Sequence, residues 1–169
     1  IHLEKMAGEM LQFVRARPHK TQIIALDDLV SEALQTLEGL SQEKHIELSV
    51  SLKADNCMVS VERPSVVSAF IAILENAIQC SSPGQTIVVQ TQADHLRGQL
   101  SIEDNGPGIA EDMLSRLFEP FATNRVTGTG LGLAIAQNAI RSHRGEITAQ
   151  NKPEGGALFV VALPSMANF

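Results

Sequence analysis

The chain has 169 residues, of which 44% are hydrophobic and 19% are charged, and its formal net charge is -6. This size allows one globular core and a short appendage. The apolar runs are far shorter than the roughly 20 residues that a bilayer crossing needs, and the sequence has no basic cluster suited to a nucleic acid backbone. We therefore expect a cytoplasmic protein without direct membrane or nucleic acid contact, in which Cys57 and Cys80 are free thiols.

The first segment carries apolar residues at the spacing of a helix that packs lengthwise on another helix. Leu3, Met6, Met10 and Phe13 follow one another at intervals of three and four residues. The basic, proline-containing run at residues 15–20 is typical of a linker. We expect a division between residues 1–20 and 21–169, although an ordinary first helix of the main domain would give the same spacing.

From residue 23 onward, periods of 3.6 and 2 residues alternate, which indicates helices and strands. Helices are predicted after a possible cap at Asp27 and after Pro64, and also at residues 111–117 and 133–142. Strands are predicted at residues 46–52, 58–61, 86–92, 99–103, 146–151 and 157–163, and the last four form two hairpins. The pattern predicts an α+β fold, a two-layer sandwich with one mixed sheet and helices on one face.

Asn76 lies near the end of the mostly apolar helix that follows Pro64. A polar side chain in such a helix is costly without partners, and a carboxamide oxygen is a ligand that Mg²⁺ accepts beside phosphate oxygens. A cap on a neighbouring loop would explain Asn76 equally well.

Asp104 ends a predicted strand and is followed by Asn-Gly-Pro-Gly. A carboxylate beside such a permissive backbone can accept a hydrogen bond from the exocyclic amine of a purine. The same residues also make ordinary tight turns.

A third segment, residues 128–132, reads Gly-Thr-Gly-Leu-Gly and opens a helix. Free backbone amides, the Thr129 hydroxyl and the helix dipole suit a phosphate group. A dinucleotide fold is excluded because no buried strand precedes this segment and the spacing differs, and no P-loop motif occurs. The five histidines lie in unrelated elements and form no cluster.

In this order the motifs resemble those of the GHKL superfamily, the ATPases of DNA gyrase and histidine kinase type, and within it the sensor histidine kinases. The matching segments are residues 74–77 (N box), 104–109 (first glycine box), 117–121 (F box) and 128–133 (second glycine box). The resemblance covers residues 23–164 and implies a Bergerat-type ATP-binding fold. It also implies that residues 1–20 end the dimerisation and phosphoacceptor helix, with its linker, and that residues 21–169 form the ATP-binding catalytic domain.

The resemblance implies ATP and Mg²⁺ as ligands, with Asn76 on the metal and Asp104 on the adenine amine. Gly106 and Gly108 would shape the adenine pocket, and Arg125 would approach the γ-phosphate from a mobile lid at residues 122–127. The residues implied around the phosphates are Thr129, Gly130, Leu131 and Gly132. Cβ atoms added at Gly130 and Gly132 are expected to crowd the phosphates.

The implied function is transfer of the γ-phosphoryl group to a histidine on a separate helical hairpin of the homodimeric full-length kinase, which a response regulator also contacts. The acceptor motif, a histidine followed by an acidic residue and a proline, is not found in this chain, and His2 does not match it.

Four positions depart from the pattern of the family that the chain resembles. Ala72 stands where that family often has Asn or another polar residue, and Gln79 and Cys80 stand where it often has Lys and an aromatic residue that walls the purine. Leu158 stands where the resemblance implies a Thr near the base. One alternative is a GHKL ATPase that hydrolyses ATP. The resemblance to that class implies a Glu base four residues before Asn76, but Ala72 occupies that position. The other is a nucleotide-dependent interaction module without transfer activity, which Ala72 and Gln79 favour.

Overall fold

The computed structural model describes residues 2–14, 20–122 and 130–166, and for residue 2 and residues 11–14 it describes the backbone alone. The helices are α1 (His2–Val14), α2 (Leu26–Glu43), α3 (Arg63–Cys80), α4 (Glu111–Leu114) and α5 (Gly132–Ser142). The strands are β1 (Gln22–Ala25), β2 (Glu47–Leu52), β3 (Met58–Val61), β4 (Thr86–Ala93), β5 (Arg97–Glu103), β6 (Glu146–Asn151) and β7 (Ala157–Pro164).

Five of the strands form one mixed sheet in the order β2-β4-β5-β7-β6. Only β2 and β4 are parallel, because the long helix α3 lies between them in sequence, and the remaining neighbours are antiparallel. The predicted hairpins β4–β5 and β6–β7 are confirmed, as is the mixed character of the sheet.

The core lies between one face of this sheet and the helices α2, α3 and α5. Alternation along β5 and β7 turns Leu100, Ile102, Phe159 and Val161 inward, and all four are buried. Apart from the buried Ala162, the opposite face carries half-buried or exposed residues, so this side of the sheet is largely open to solvent. The two-layer α+β architecture predicted from periodicity is therefore confirmed.

A separate two-stranded ribbon joins β1 and β3 in antiparallel register. It continues directly into α2, whose first residue Leu26 donates its N–H to the Cys57 carbonyl at 2.9 Å. The sequence predicted β3 as a strand but did not predict that it would pair outside the main sheet.

The prediction that Asp27 caps α2 is wrong. The helix begins at Leu26, and its capping residue Ala25 makes no side-chain cap. Asp27 lies in the first turn and instead accepts a hydrogen bond from the buried Thr91 hydroxyl at 2.6 Å, which in turn accepts the N–H groups of Lys53 and Ala54. A partner distant in the sequence thus replaces the local cap.

Helix α4 ends at Leu114 and is therefore shorter than the helix predicted at residues 111–117.

Helix α1 contacts α5, and Lys5 on α1 forms an ion pair at 3.3 Å with Glu75 on α3. Among the described residues, none of the helices combines the length and the apolar character that a membrane crossing requires. Both cysteines are free, Cys57 buried and Cys80 half-buried, as expected. The boundary between residues 20 and 21 stays a prediction.

Candidate nucleotide-binding site

Asp104, directly after β5, is a carboxylate of the core with only 2% of its surface exposed. Its Oδ1 accepts hydrogen bonds from the N–H groups of Gly106, at 3.0 Å, and Ala157, at 3.2 Å. Its own N–H donates to the Ala157 carbonyl at 3.0 Å. The other oxygen, Oδ2, takes no hydrogen bond from the described part of the chain. One oxygen is thus fixed by the backbone, and the second can accept a donor from a ligand.

The glycines beside Asp104 allow neighbouring segments to approach closely. A Cβ on Gly106 would lie 2.5 Å from the Cys80 carbonyl oxygen, and one on Gly156 would overlap the Asp104 carbonyl oxygen. Gly108 has a φ of +82°, and its Cβ would lie 2.9 Å from the Asn151 Oδ1. Side chains are excluded from these points, so the segments can pack backbone against backbone around the carboxylate.

The start of α5 lies against α3 on the face that carries Ala72. A Cβ built on Gly132 would have the Ala72 methyl as its nearest neighbour, at 4.0 Å. Asn76 lies one helical turn after Ala72 and is half-buried, so it belongs to the same face of α3. The candidate metal ligand and the candidate phosphate segment therefore adjoin one another across the two helices.

Glu75 and Gln79, which lie within one turn of Asn76 on α3, form a hydrogen bond with each other. The Glu75 Oε1 accepts hydrogen bonds from the Gln79 amide at 3.2 Å and from the Lys5 ammonium at 3.3 Å. Gln79, which stands where the resemblance implies a lysine, is therefore part of a surface network on α3.

Gly130 closes a backbone contact with the F box. Its carbonyl accepts the N–H of Phe121 at 2.7 Å, and both residues have positive φ, +76° and +65°. A Cβ on Gly130 would lie 2.5 Å from the Phe121 backbone. Within the protein the nearest obstacle to this Cβ is Phe121, and the expectation that it would also crowd a phosphate stays a prediction. Leu131 is buried, so only its backbone remains a candidate for phosphate contact.

Three of the predicted features lie outside the described residues. These are Thr129, Arg125, and the expected lid except for Ala122.

The expectation that Leu158 lies near the base is wrong. Along β7, Ala157 and Phe159 turn toward the helices and are buried, so Leu158 turns to the opposite face of the sheet. The neighbour of Asp104 is Ala157, whose backbone N–H and carbonyl both pair with it.

Sequence reasoning missed the contribution of the β6–β7 loop. Asn151 binds Ile109 and Lys152 binds Asn105, so they contact both ends of residues 105–109 in the first glycine box, and Gly156 packs on Asp104. The Gly-Gly pair at residues 155–156 was a usable signal, but it also suits a hairpin turn, and the pattern alone does not separate the two.

A family model described as histidine kinase-, DNA gyrase B-, and HSP90-like ATPase matches residues 62–167. The chain belongs to this family. Within the family, it is 32% identical over 163 residues to the signal transduction histidine-protein kinase AtoS of Escherichia coli (strain K12). That alignment covers 96% of this chain and 27% of AtoS, so the chain spans about a quarter of the length of this curated relative.

Two solved structures share the fold. Full-length ShkA in complex with AMPPNP matches with a TM-score of 0.85 and 22% identity, over 99% of this chain and 36% of ShkA. The histidine kinase ThkA in complex with the response regulator protein TrrA matches with a TM-score of 0.82 and 23% identity, over 97% of this chain and 47% of ThkA. The family match and the kinase relative together confirm the prediction that this chain contains a histidine kinase ATP-binding catalytic domain.

Proposed function

We propose that the chain binds Mg-ATP and delivers the γ-phosphoryl group to a histidine on a helical hairpin of the full-length protein. The observation that carries the proposal is the Asp104 carboxylate, which is buried, anchored through Oδ1 and open at Oδ2. A buried carboxylate with one oxygen open needs a donor, and the amine of adenine supplies two N–H groups.

Adenine binds with its exocyclic amine on the Asp104 Oδ2. The flat base lies near the backbone of Gly106 and Gly108, whose missing Cβ atoms allow the Cys80 carbonyl oxygen and the Asn151 side chain to approach and shape the pocket. The half-buried Cys80, at the end of α3, stands where the family often has an aromatic wall, and its backbone carbonyl lies against Gly106.

The phosphates lie at the start of α5, where the amides of Gly130, Leu131 and Gly132 precede or open the helix. The first N–H groups of a helix have no partner within the helix, and the helix dipole favours negative charge there. Thr129 and Arg125 complete this proposal as a hydroxyl donor and a cation near the γ-phosphate.

Asn76 fits Mg²⁺ as a protein ligand. Its carboxamide lies on the α3 face that adjoins the start of α5, and Mg²⁺ is usually held by one or two protein groups together with phosphate oxygens and water. When bound, Mg²⁺ neutralises charge on the phosphates.

In the transfer step, a neutral imidazole nitrogen of the acceptor histidine forms a bond to the γ-phosphorus while the bond to the bridging oxygen of ADP breaks. The residues of this chain hold the γ-phosphate in line and stabilise its charge, which is how proteins accelerate such transfers. Hydrolysis instead needs a base for water, and Ala72, with only a methyl group facing α5, provides none.

The partners proposed are the hairpin of the full-length homodimer and a response regulator that docks on it, in the cytoplasm. The complex of ThkA with TrrA supports this choice by analogy.

Calorimetric titration with ADP and ATP, with and without Mg²⁺, tests the ligand assignment. Asn76→Ala is expected to lose the tightening by Mg²⁺ while keeping metal-free nucleotide affinity. Asn138→Ala, which removes an exposed asparagine of α5, is the matched control and should behave as the wild type. Equal losses with and without Mg²⁺ in Asn76→Ala would reject Asn76 as the metal ligand.

A further inference from the structure

Two consecutive residues at the end of β6 hold the first glycine segment from opposite faces of the sheet. Asn151 is the last residue of β6 and pairs with Ala157, on the side where the helices lie. Lys152 follows and turns toward Glu103 and Asn105, on the other side. Between them they hold both ends of residues 105–109, the segment that follows Asp104.

Asn151 fixes the far end of the segment. Its Oδ1 accepts the N–H of Ile109 at 2.7 Å, and its Nδ2 donates to the Ile109 carbonyl at 2.7 Å. A residue held through both its N–H and its carbonyl cannot rotate without losing both hydrogen bonds. The same side chain lies against Gly108, where no Cβ fits.

Lys152 fixes the near end. Its side chain is only 9% exposed, and its ammonium lies 3.1 Å from the Asn105 Oδ1 and 3.7 Å from the Glu103 Oε2. Lysine is rarely buried to this degree unless it is paired. Asn105 also donates to the Thr86 carbonyl at 2.8 Å, so the lysine secures a residue that is already tied to β4.

The orientation of Asp104 depends on this segment, because its Oδ1 accepts the N–H of Gly106. If residues 105–109 change conformation, that N–H moves and the carboxylate is held only by the N–H of Ala157, at 3.2 Å.

We propose that Asn151 and Lys152 are positioning residues for base recognition, which hold the glycine segment so that the Asp104 Oδ2 points at the amine of the purine. The inference rests on the proposed function, since it takes adenine to bind at Asp104.

The test measures discrimination by calorimetry. ADP is compared with purine riboside diphosphate, which lacks the exocyclic amine, in the wild type, Asn151→Ala, Lys152→Met and the control Gln150→Ala. Gln150 is exposed and precedes Asn151 in the same strand. A hydrogen bond to a charged group corresponds to a preference of about 10-fold to 150-fold, which the wild type and the control should show. Asn151→Ala and Lys152→Met should reduce the preference at least about fivefold, mainly through weaker ADP binding.

A purely structural role would lower the melting temperature and weaken both ligands equally, so an unchanged preference in both variants would overturn the inference. If Asn151→Ala fails to fold, Asn151→Asp decides, because it keeps the acceptor for the Ile109 N–H but loses the donor to the carbonyl. It should show a preference between those of the wild type and of Asp104→Ala, and a wild-type preference would count against the inference. A wild type that binds ADP without any preference would instead overturn the assignment of adenine to Asp104, and with it this inference.

Discussion

Replacing Asp104 by asparagine separates recognition of the base from stability of the fold. The amide has almost the same shape, and its oxygen can still accept the N–H groups of Gly106 and Ala157. Its nitrogen, however, carries hydrogens that would face the hydrogens of the adenine amine. The charged acceptor at Oδ2 is lost, which corresponds to about 1.5–3 kcal/mol, or about a 10-fold to 150-fold rise in the Kd for ADP.

Asp104→Ala should behave differently, because it leaves the two N–H groups without their acceptor. An unsatisfied buried group costs about 1–3 kcal/mol, so this variant is expected to lose stability as well as affinity.

The assay combines calorimetric titration of ADP and of inosine diphosphate with urea unfolding. For Asp104→Asn we expect a midpoint near that of the wild type, weakened ADP binding, and a relative gain for inosine diphosphate, whose base presents a carbonyl oxygen in place of the amine. A stable Asp104→Asn variant with wild-type affinity for ADP would refute the reasoning.

Three further predictions concern the framework of the site. Gly130→Ala should lower the free energy of unfolding by about 1–3 kcal/mol, because a Cβ at that φ meets the Phe121 backbone. Gly132→Ala, whose Cβ has open space, should unfold at the wild-type urea concentration or above it. A Gly132→Ala variant less stable than Gly130→Ala would contradict the packing. His143→Ala should lower the unfolding free energy by about 1–2 kcal/mol, because the imidazole Nε2 accepts the N–H of Glu62 while its Nδ1 donates to the Ala139 carbonyl. An unchanged urea midpoint would disprove this role. The pKa of Asp94 is lowered by hydrogen bonds from the backbone of Arg97 and then of Leu96. Its contribution to folding stability is therefore present above the ordinary aspartate pKa and is lost as the pH falls through the lowered value. The difference in melting temperature between wild type and Asp94→Ala should shrink as the pH falls over that interval, and a difference that grows would contradict this prediction.

Local periodicity predicted most helices and strands, because apolar residues at intervals of 3.6 or 2 mark the buried face directly. The alternation of β5 and the apolar surface of α3 illustrate this. The pairing of β2 with β4 in parallel and of β1 with β3 in a separate ribbon was not predicted, because register depends on which segments meet in three dimensions.

The site shows the same limit. Asp104 was found from its position before a glycine-rich turn, since both features are local in the sequence. Asn151 and Lys152 lie more than forty residues away and contact the site only because β6 and β7 extend the sheet beside β5. Asp27 failed as a cap for a similar reason, since the Thr91 hydroxyl reaches it from β4.

Phosphoryl transfer to a supplied hairpin tests the central claim most directly. The phosphoacceptor hairpin of a sensor histidine kinase, either fused ahead of α1 or supplied as a separate dimer, is incubated with this chain and labelled Mg-ATP. We predict acid-labile label on the histidine of the hairpin, none on the chain alone, and much less with Asn76→Ala. Nucleotide binding with release of free phosphate and no labelled hairpin would contradict the account in favour of an ATPase. Label on the isolated chain would show that the acceptor had been misplaced, with His2 the first residue to examine.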